Sequence, residues 1–514
     1  MLFITNIAAV LFSLLIAVAL FSFFRSKDDT VAEASAYGLM LMLMVSSGIA
    51  QILLVCGLQR FLLIGLLLPT IPAVITLIHL RELTVQQLKI ARHFMKAHPL
   101  PAIVFVCGGL CMLAFTVWNE VTRGPISFID IYSGLGQKNG SLFTLLHTGN
   151  QTAAIGLNHT IFMADWQPLV AAPLANCCAY LAIALATYAL ARRYAWPPTA
   201  ITVTLLIVSM PRLVHQNLAT QSELLPAAAA LLVLLALFRT VERPQIEDGA
   251  ILLSSISFSV TDGRLCYLLP AVLTALCVLV LARRHNLRLW IDVAKGHSIY
   301  IIVILCVMLV FSQVINISYN LRHGLPWIGA LPRDEVVFNA GGILGAGANM
   351  VRYLLQTIHM PAFVDNVLQW TFGWGLVETI ESVYHQTVGV WANSKGAVEA
   401  FELNWAPDNP WTWFGPVGFL MVVPAMLHAL RLGPHRLKTT ALAMLTYWLL
   451  IALIVAWRPS NVRLMTPLFV CSGFFTAFLL PPWRIGHNGC RVLQWFCLVM
   501  IVYALLTYPG HSAF

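Results

Sequence analysis

Residues 2–24 read LFITNIAAVLFSLLIAVALFSFF, an apolar run without one charged side chain, ended by Arg25. A helix rises about 1.5 Å per residue, so a run near 20 residues matches the roughly 30 Å of a bilayer's hydrocarbon. Runs of this kind recur at 34–57, 61–80, 100–118, 168–191, 197–211, 224–238, 249–261, 265–282, 298–315, 413–430, 440–457, 464–480 and 492–508. Those at 197–211, 224–238 and 249–261 are short for a full crossing. The whole chain fits the pattern. Of its 514 residues, 59% are hydrophobic and 10% charged, against roughly 25% charged in a soluble domain. Mean hydropathy is +0.81. So few charges cannot cover a soluble surface, and so much apolar side chain excludes a disordered chain. The expected fold is an all-α polytopic integral membrane protein of about 12–14 transmembrane helices.

The net charge of +9 would suggest nucleic acid in a soluble protein. Here it sorts by side. With the Arg25–Lys27 loop in the cytoplasm and the spans alternating, 19 of the 30 lysines and arginines fall on the cytoplasmic side. This obeys the positive-inside rule. If 249–261 did not cross, Arg283, Arg284 and Arg288 would move outside and break it. Both termini are then expected outside the cytoplasm, and the first run reads as an uncleaved helix because Met1 opens directly into an apolar stretch that continues past 20 residues. The basic excess thus marks the cytoplasmic leaflet, and no nucleic-acid partner is expected.

Four parts follow from this topology: 1–98, 99–315, 316–412 and 413–514. The first ends in segment 82–97, where Leu88, Ala91 and Met95 share one helical face and Lys89, Arg92 and Lys96 the other. That pattern fits a helix lying on the cytoplasmic membrane surface, or a plain linker between spans. Two long extracytoplasmic loops remain, 119–167 and 316–412. Loops of that length usually carry structure or function. The second contains helix-like stretches such as Asn349–Ile358 and reads as a small subdomain. The 11 cysteines avoid both loops, so no disulfide framework is implied.

No phosphate-binding loop, dinucleotide fingerprint, zinc-type His-Glu-x-x-His or nucleophile elbow occurs. Charges sit at span ends, which argues against an ion-coupled transporter. Carboxylates gather outside instead: 13 of the 21 Asp and Glu lie there. A membrane-flush carboxylate base with an arginine suits sugar transfer from a polyprenyl phosphate. The carboxylate takes the acceptor proton, and the cation stabilises the departing phosphate.

Four segments carry a family resemblance. Leu185–Arg193 (LATYALARR) leads into Ser209–Ala228 (SMPRLVHQNLATQSELLPAA). Asn349–Pro361 reads NMVRYLLQTIHMP, Asp408–Pro424 reads DNPWTWFGPVGFLMVVP, and Trp457–Leu468 reads WRPSNVRLMTPL. In this order they resemble motifs of bacterial GT-C-type membrane glycosyltransferases, relatives of the protein O-mannosyltransferases and aminoarabinose transferases. The resemblance implies a GT-C-like bundle and a polyprenyl-phosphate sugar donor within the lipid bilayer of the inner membrane. It also implies an acceptor on the extracytoplasmic face and inversion by single displacement. Some members use a divalent cation held by a loop carboxylate; no metal cage is legible here.

The family's first loop carries an acidic residue in an Asp-x-x-x-Tyr-His-like motif followed by Asn-Gly. Here Asn139-Gly140 is present and the Tyr-His pair is not. With Tyr132 as the motif Tyr, the Asp position falls on Phe128 and Asp130 is a neighbour. Asp130 is the first candidate base, with an exposed loop carboxylate as the plain alternative. Glu120, at a span end, is the second, and could equally be an interfacial anchor. Arg463 is the leading phosphate ligand and Arg458 the next; either could simply snorkel to the interface. Gln221 and Glu223 match the motif's Gln-x-Asp/Glu, with structural hydrogen bonding as their plainer role. Asp408, with Trp411, Trp413, Phe414 and Gly415, would shape the mouth of the donor pocket or sit in an aromatic belt. Arg212 and Arg264 are expected to pair with Glu223 and Asp262. Two other readings stand beside the enzyme: an inactive GT-C-like scaffold of an envelope polysaccharide complex, and a lipid or solute transporter.

Overall fold

The structure is a computed structural model. It describes residues 2–26, 30–56, 62–97, 99, 171–218, 224–242, 245–260, 268–283, 286–307, 338–358, 360–392, 396–403, 405, 414–480 and 482–506. Among these the chain is almost entirely helical and forms no strand, only the isolated bridges Phe338–Val455 and Ala397–Trp457. Span 100–118, loop 119–167 and residues 308–337 lie outside the described residues.

The helices in chain order are α1 (Leu2–Ser26), α2 (Val31–Val55), α3 (Leu62–His79), α4 (Arg81–Ala97), α5 (Ala171–Ala191), α6 (Pro197–Val208) and α7 (Pro211–Leu218). Then come α8 (Leu224–Glu242), α9 (Ile246–Val260), α10 (Leu268–Arg283), α11 (Asn286–Gly296) and α12 (Ser298–Val307). The remainder are α13 (Gly342–Thr357), α14 (Ala362–Phe372), α15 (Leu376–Gln386), α16 (Gly415–Leu432), α17 (His435–Ile454), α18 (Pro459–Leu479) and α19 (Pro482–Leu506). Five of these runs are long and apolar enough to cross a membrane, or up to 8 if each sharply bent helix pair is one span.

Two compact units divide the chain: residues 1–190 with 216–330 and Phe514, and residues 191–215 with 331–513. In the first unit, α1, α2 and α3 pack together, and α8 packs with α9 and α10. From Leu224 to Thr240, α8 is buried on every side. A helix apolar all round has no polar face to give to solvent, so it becomes a central element.

A buried ionic cluster ties three helices of this unit. Arg239 ends α8; its Nη1 donates to Glu33 Oε2 at 3.2 Å and its Nε to Asp248 Oδ1 at 2.8 Å. Glu33 and Thr30 also form a reciprocal capping box at the start of α2. Thr30 N donates to Glu33 Oε2 at 3.1 Å, and Glu33 N to Thr30 Oγ1 at 3.3 Å. Glu33, Arg239 and Asp248 therefore share one end of the unit.

Three breaks bend the chain sharply. The α3–α4 axes meet at 79°, α6–α7 at 66° and α11–α12 at 84°. Segment 82–97 is indeed a helix, α4, turned almost at right angles to α3 and tied to α1 by Ser22 Oγ and Thr84 Oγ1 at 2.8 Å. Helix α11 repeats that arrangement and was not anticipated. Its Trp290 donates from Nε1 to Thr240 O at 3.0 Å, and its ring lies over Gly249.

The run at 197–211 is not a single straight span. Helix α6 has 12 residues, about 18 Å at the α-helical rise. Pro211 cannot donate the next ladder bond, so a new helix starts there at an angle. The run at 440–457 also ends early: α17 stops at Ile454, and Val455–Trp457 are not helical.

Candidate functional site

The second unit holds the candidates Arg458 and Arg463 and described parts of the resembling segments. Its centre is the segment that leaves α17. Asn339 N donates to Ile454 O at 3.0 Å, Trp457 N to Gly396 O at 2.7 Å and Val398 N to Trp457 O at 3.0 Å. The segment is thus held between residues 338–339, over a hundred residues upstream, and 396–398, about sixty upstream.

Helix α13 fixes the same segment with side chains. Asn349 is fully buried; its Nδ2 donates to the carbonyls of Ala452 and Val455, each at 3.2 Å. Its Oδ1 accepts from Arg352 Nη1 at 2.7 Å, and Arg352 Nε donates to Tyr384 Oη at 2.8 Å. Arg352 is 1% exposed, and its guanidinium lies 5.9 Å from the centre of the Tyr384 ring. An aromatic chain continues from Tyr384 to Phe401 at 4.2 Å and on to Trp457 at 5.4 Å. One turn along α13, Gln356 Nε2 donates to Pro459 O at 3.0 Å. Burial raises the Tyr353 phenol pKa well above its ordinary value, so Tyr353 stays protonated and offers no base.

The expected helix at Asn349–Ile358 is present as α13, beginning earlier at Gly342. Arg352 was quoted in a motif but not singled out. Its signal was a cation three residues after Asn349, on one face with the polar Asn349 and Gln356.

Arg458 and Arg463 follow the extended segment. Arg463 lies within a tight 3-10 stretch, Pro459–Met465, that forms the start of α18. The helical run therefore begins before Arg463, not at it. Arg463 is half-buried. Arg458 is one-third exposed, with Nε 3.9 Å from Oε1 of the exposed Glu399. Contacts of that kind in high dielectric contribute little.

The remaining motif segments meet the far end of this stretch. Phe414 stacks on Phe469 with ring centres 4.1 Å apart and planes 22° from parallel. Residues Gly418–Val422 form a π-helical turn within α16, a feature common at functional sites. A Cβ on Gly415 would lie 2.9 Å from Pro211 Cδ. Pro211 opens α7, where Arg212 and His215 are both buried, and His215 Nε2 sits 2.9 Å from Ala504 O. Stretches 209–215, 349–356, 414–418 and 457–469, the last reaching one residue past its motif to Phe469, thus pack together in one unit.

Gly415 tests that packing. Its φ is +66°, and a side chain there would also press on Pro211. Gly415→Ala is predicted to cost about 2–3 kcal/mol, the left-handed backbone penalty plus overpacking. Gly373 has φ +74° and nothing within 4 Å of an added Cβ. Gly373→Ala should carry only the backbone penalty, about 1–2 kcal/mol. Thermal unfolding of both variants checks the difference.

Two carboxylates of the 316–412 segment have structural roles. Asp365 accepts from Leu376 N and Val377 N and so caps α15. Glu381 accepts from Leu403 N. Asp130, Glu120, Gln221, Glu223 and Asp408 lie outside the described residues, as do Arg264, Asp262, Trp411 and Trp413. Among the described residues no three His, Cys, Asp or Glu side chains are grouped to hold a metal ion. Comparison with family models, curated proteins and solved structures finds no match in any of the three.

Proposed function

We propose that this chain is a polytopic inner-membrane glycosyltransferase of GT-C type. It moves a sugar from a polyprenyl-phosphate donor to an acceptor on the extracytoplasmic face. The observation that carries the reading is the convergence of four separated segments, each resembling a family motif, on one packed network. Arg463 and Arg458 follow directly from the clamped segment 455–457, where cations could face a lipid-linked phosphate. In this reading Asp130, with Glu120 as second choice, takes the proton from the acceptor hydroxyl, and the sugar inverts in one displacement. Asp408, Gln221 and Glu223 border the donor.

The test is sugar transfer by the purified protein from a panel of polyprenyl-phosphate sugars. Asp130→Asn is expected to lower turnover about 100-fold or more, the scale of a lost general base. Arg463→Ala is expected to raise the donor KM. Full turnover in Asp130→Asn with loss in Glu120→Gln would move the base to Glu120.

One sequence observation favours a second reading. Phe128 stands where the family places its acidic residue, and the Tyr-His pair is missing. A scaffold subunit that has lost catalysis would show this. A folded protein inert on every donor would select the scaffold. Uptake into proteoliposomes that survives all three substitutions would select transport.

A further inference from the structure

Helix α14 carries an apolar stripe that is largely exposed among the described residues. Phe363, Val367 and Trp370 recur at helical spacing on one face, and Trp370 is 89% exposed. The one ionic side chain of α14, Asp365, is turned to the cap of α15. A stripe this apolar in water would be unfavourable.

The stripe continues from a second one. Helix α19 exposes Val492, Trp495, Val499, Val502 and Leu506 along one side, with Val499 61% and Leu506 81% exposed. From Gly486 to Leu506 it is long and apolar enough to cross a membrane, and only 33% of its apolar window is buried in the protein. That side is where lipid would lie. Phe363 meets Tyr503, three residues from the end of α19, edge-to-face at 6.4 Å. The two stripes join at that contact.

We infer that α14 is an interfacial helix that lays Phe363, Val367 and Trp370 into the bilayer at the level where α19 ends. The occupant of its apolar face is lipid of the same membrane. Aromatic residues favour that depth, where the ring is apolar and the indole N–H still reaches water or headgroups. Interfacial helices sit about 5–10 Å into the headgroup–acyl boundary. Basic interfacial helices are drawn to anionic lipid, but α14 has no cation, so its attraction is aromatic and apolar. Charge sorting puts the α19 end outside the cytoplasm, so the leaflet is the outer one. The inference rests on the membrane reading, and the experiment separates the two.

The full chain, with Cys56 and Cys306 changed to Ser, receives one new cysteine by Trp370→Cys or Val499→Cys. Each is labelled with an environment-sensitive fluorophore and placed in nanodiscs containing nitroxide lipids. The labelled parent supplies the background. At both positions emission should shift to the blue, and lipid nitroxide should quench position 370 about as strongly as position 499. Val367→Cys gives the same reading should Trp370→Cys fail to fold. If position 499 is quenched by lipid while 370 and 367 emit as in water and yield to soluble iodide, the inference is wrong and the membrane reading stands. If 370 is blue-shifted yet reached by neither quencher, a protein covers the stripe, and the inference is again wrong. If neither position meets lipid, both readings fall.

Discussion

Arg239→Met is expected to lower the unfolding free energy by about 3–5 kcal/mol, the cost of leaving buried charge without its partner. Arg239 bridges Glu33 and Asp248, and the Arg239 and Glu33 side chains are each only 5% exposed. Removing the guanidinium leaves two carboxylates facing each other away from water. A salt bridge on the surface would cost about 1 kcal/mol or less, so the size of the loss reports burial. Neutralising the carboxylates as well, with Glu33→Gln and Asp248→Asn, should recover most of it, because the uncompensated charge goes too. Unfolding in mixed micelles, followed by tryptophan emission, measures both. A loss under about 1 kcal/mol would place the cluster in a hydrated setting.

Asn349→Ala should cost about 3–5 kcal/mol, since buried groups left unsatisfied cost about 1–3 kcal/mol each. The substitution takes a donor from the buried carbonyls of Ala452 and Val455 and removes one acceptor from Arg352. Asn339 also donates to Ala452 O, at 3.2 Å, but it is partly solvated. Asn339→Ala should therefore cost less than half as much in the same unfolding measurement. On the glycosyltransferase reading, because Asn349 holds the segment leading to Arg458 and Arg463, its loss should also lower sugar transfer at saturating donor. Equal stability losses for the two asparagines would show that burial of Asn349 is not what fixes the segment.

Apolar runs made most helices legible. Runs such as 2–24 and 224–238 leave the chain no other way to satisfy its backbone in an apolar setting. That Arg239, Glu33 and Asp248 pair could not be read from the sequence, since they lie on three separate helices. What was hidden depends on distant partners. Val455–Trp457 looks like the end of a helix, and its extended form comes from Asn349, Asn339 and Gly396. Arg352 gave little sign of its role because its partner Tyr384 comes 32 residues later. The break before α7 was obscured by an apolar pattern that runs straight through Met210-Pro211. Helix α11, with 11 residues, is too short for periodicity to stand out. Counting outer carboxylates overstated the candidate site, since Asp365 and Glu381 are used to hold backbone N–H groups. The resembling motifs were visible as separate strings, and only folding shows that they meet.

The most direct measurement is whether the purified wild-type protein discharges a sugar from polyprenyl phosphate. A panel of radiolabelled donors would be incubated with the protein in nanodiscs, alongside an extract of envelope glycans and lipids as acceptors. The glycosyltransferase reading predicts time-dependent loss of label from at least one donor, its appearance in an acceptor, and an inverted anomeric centre. Stable, folded protein that leaves every donor intact under these conditions would contradict it.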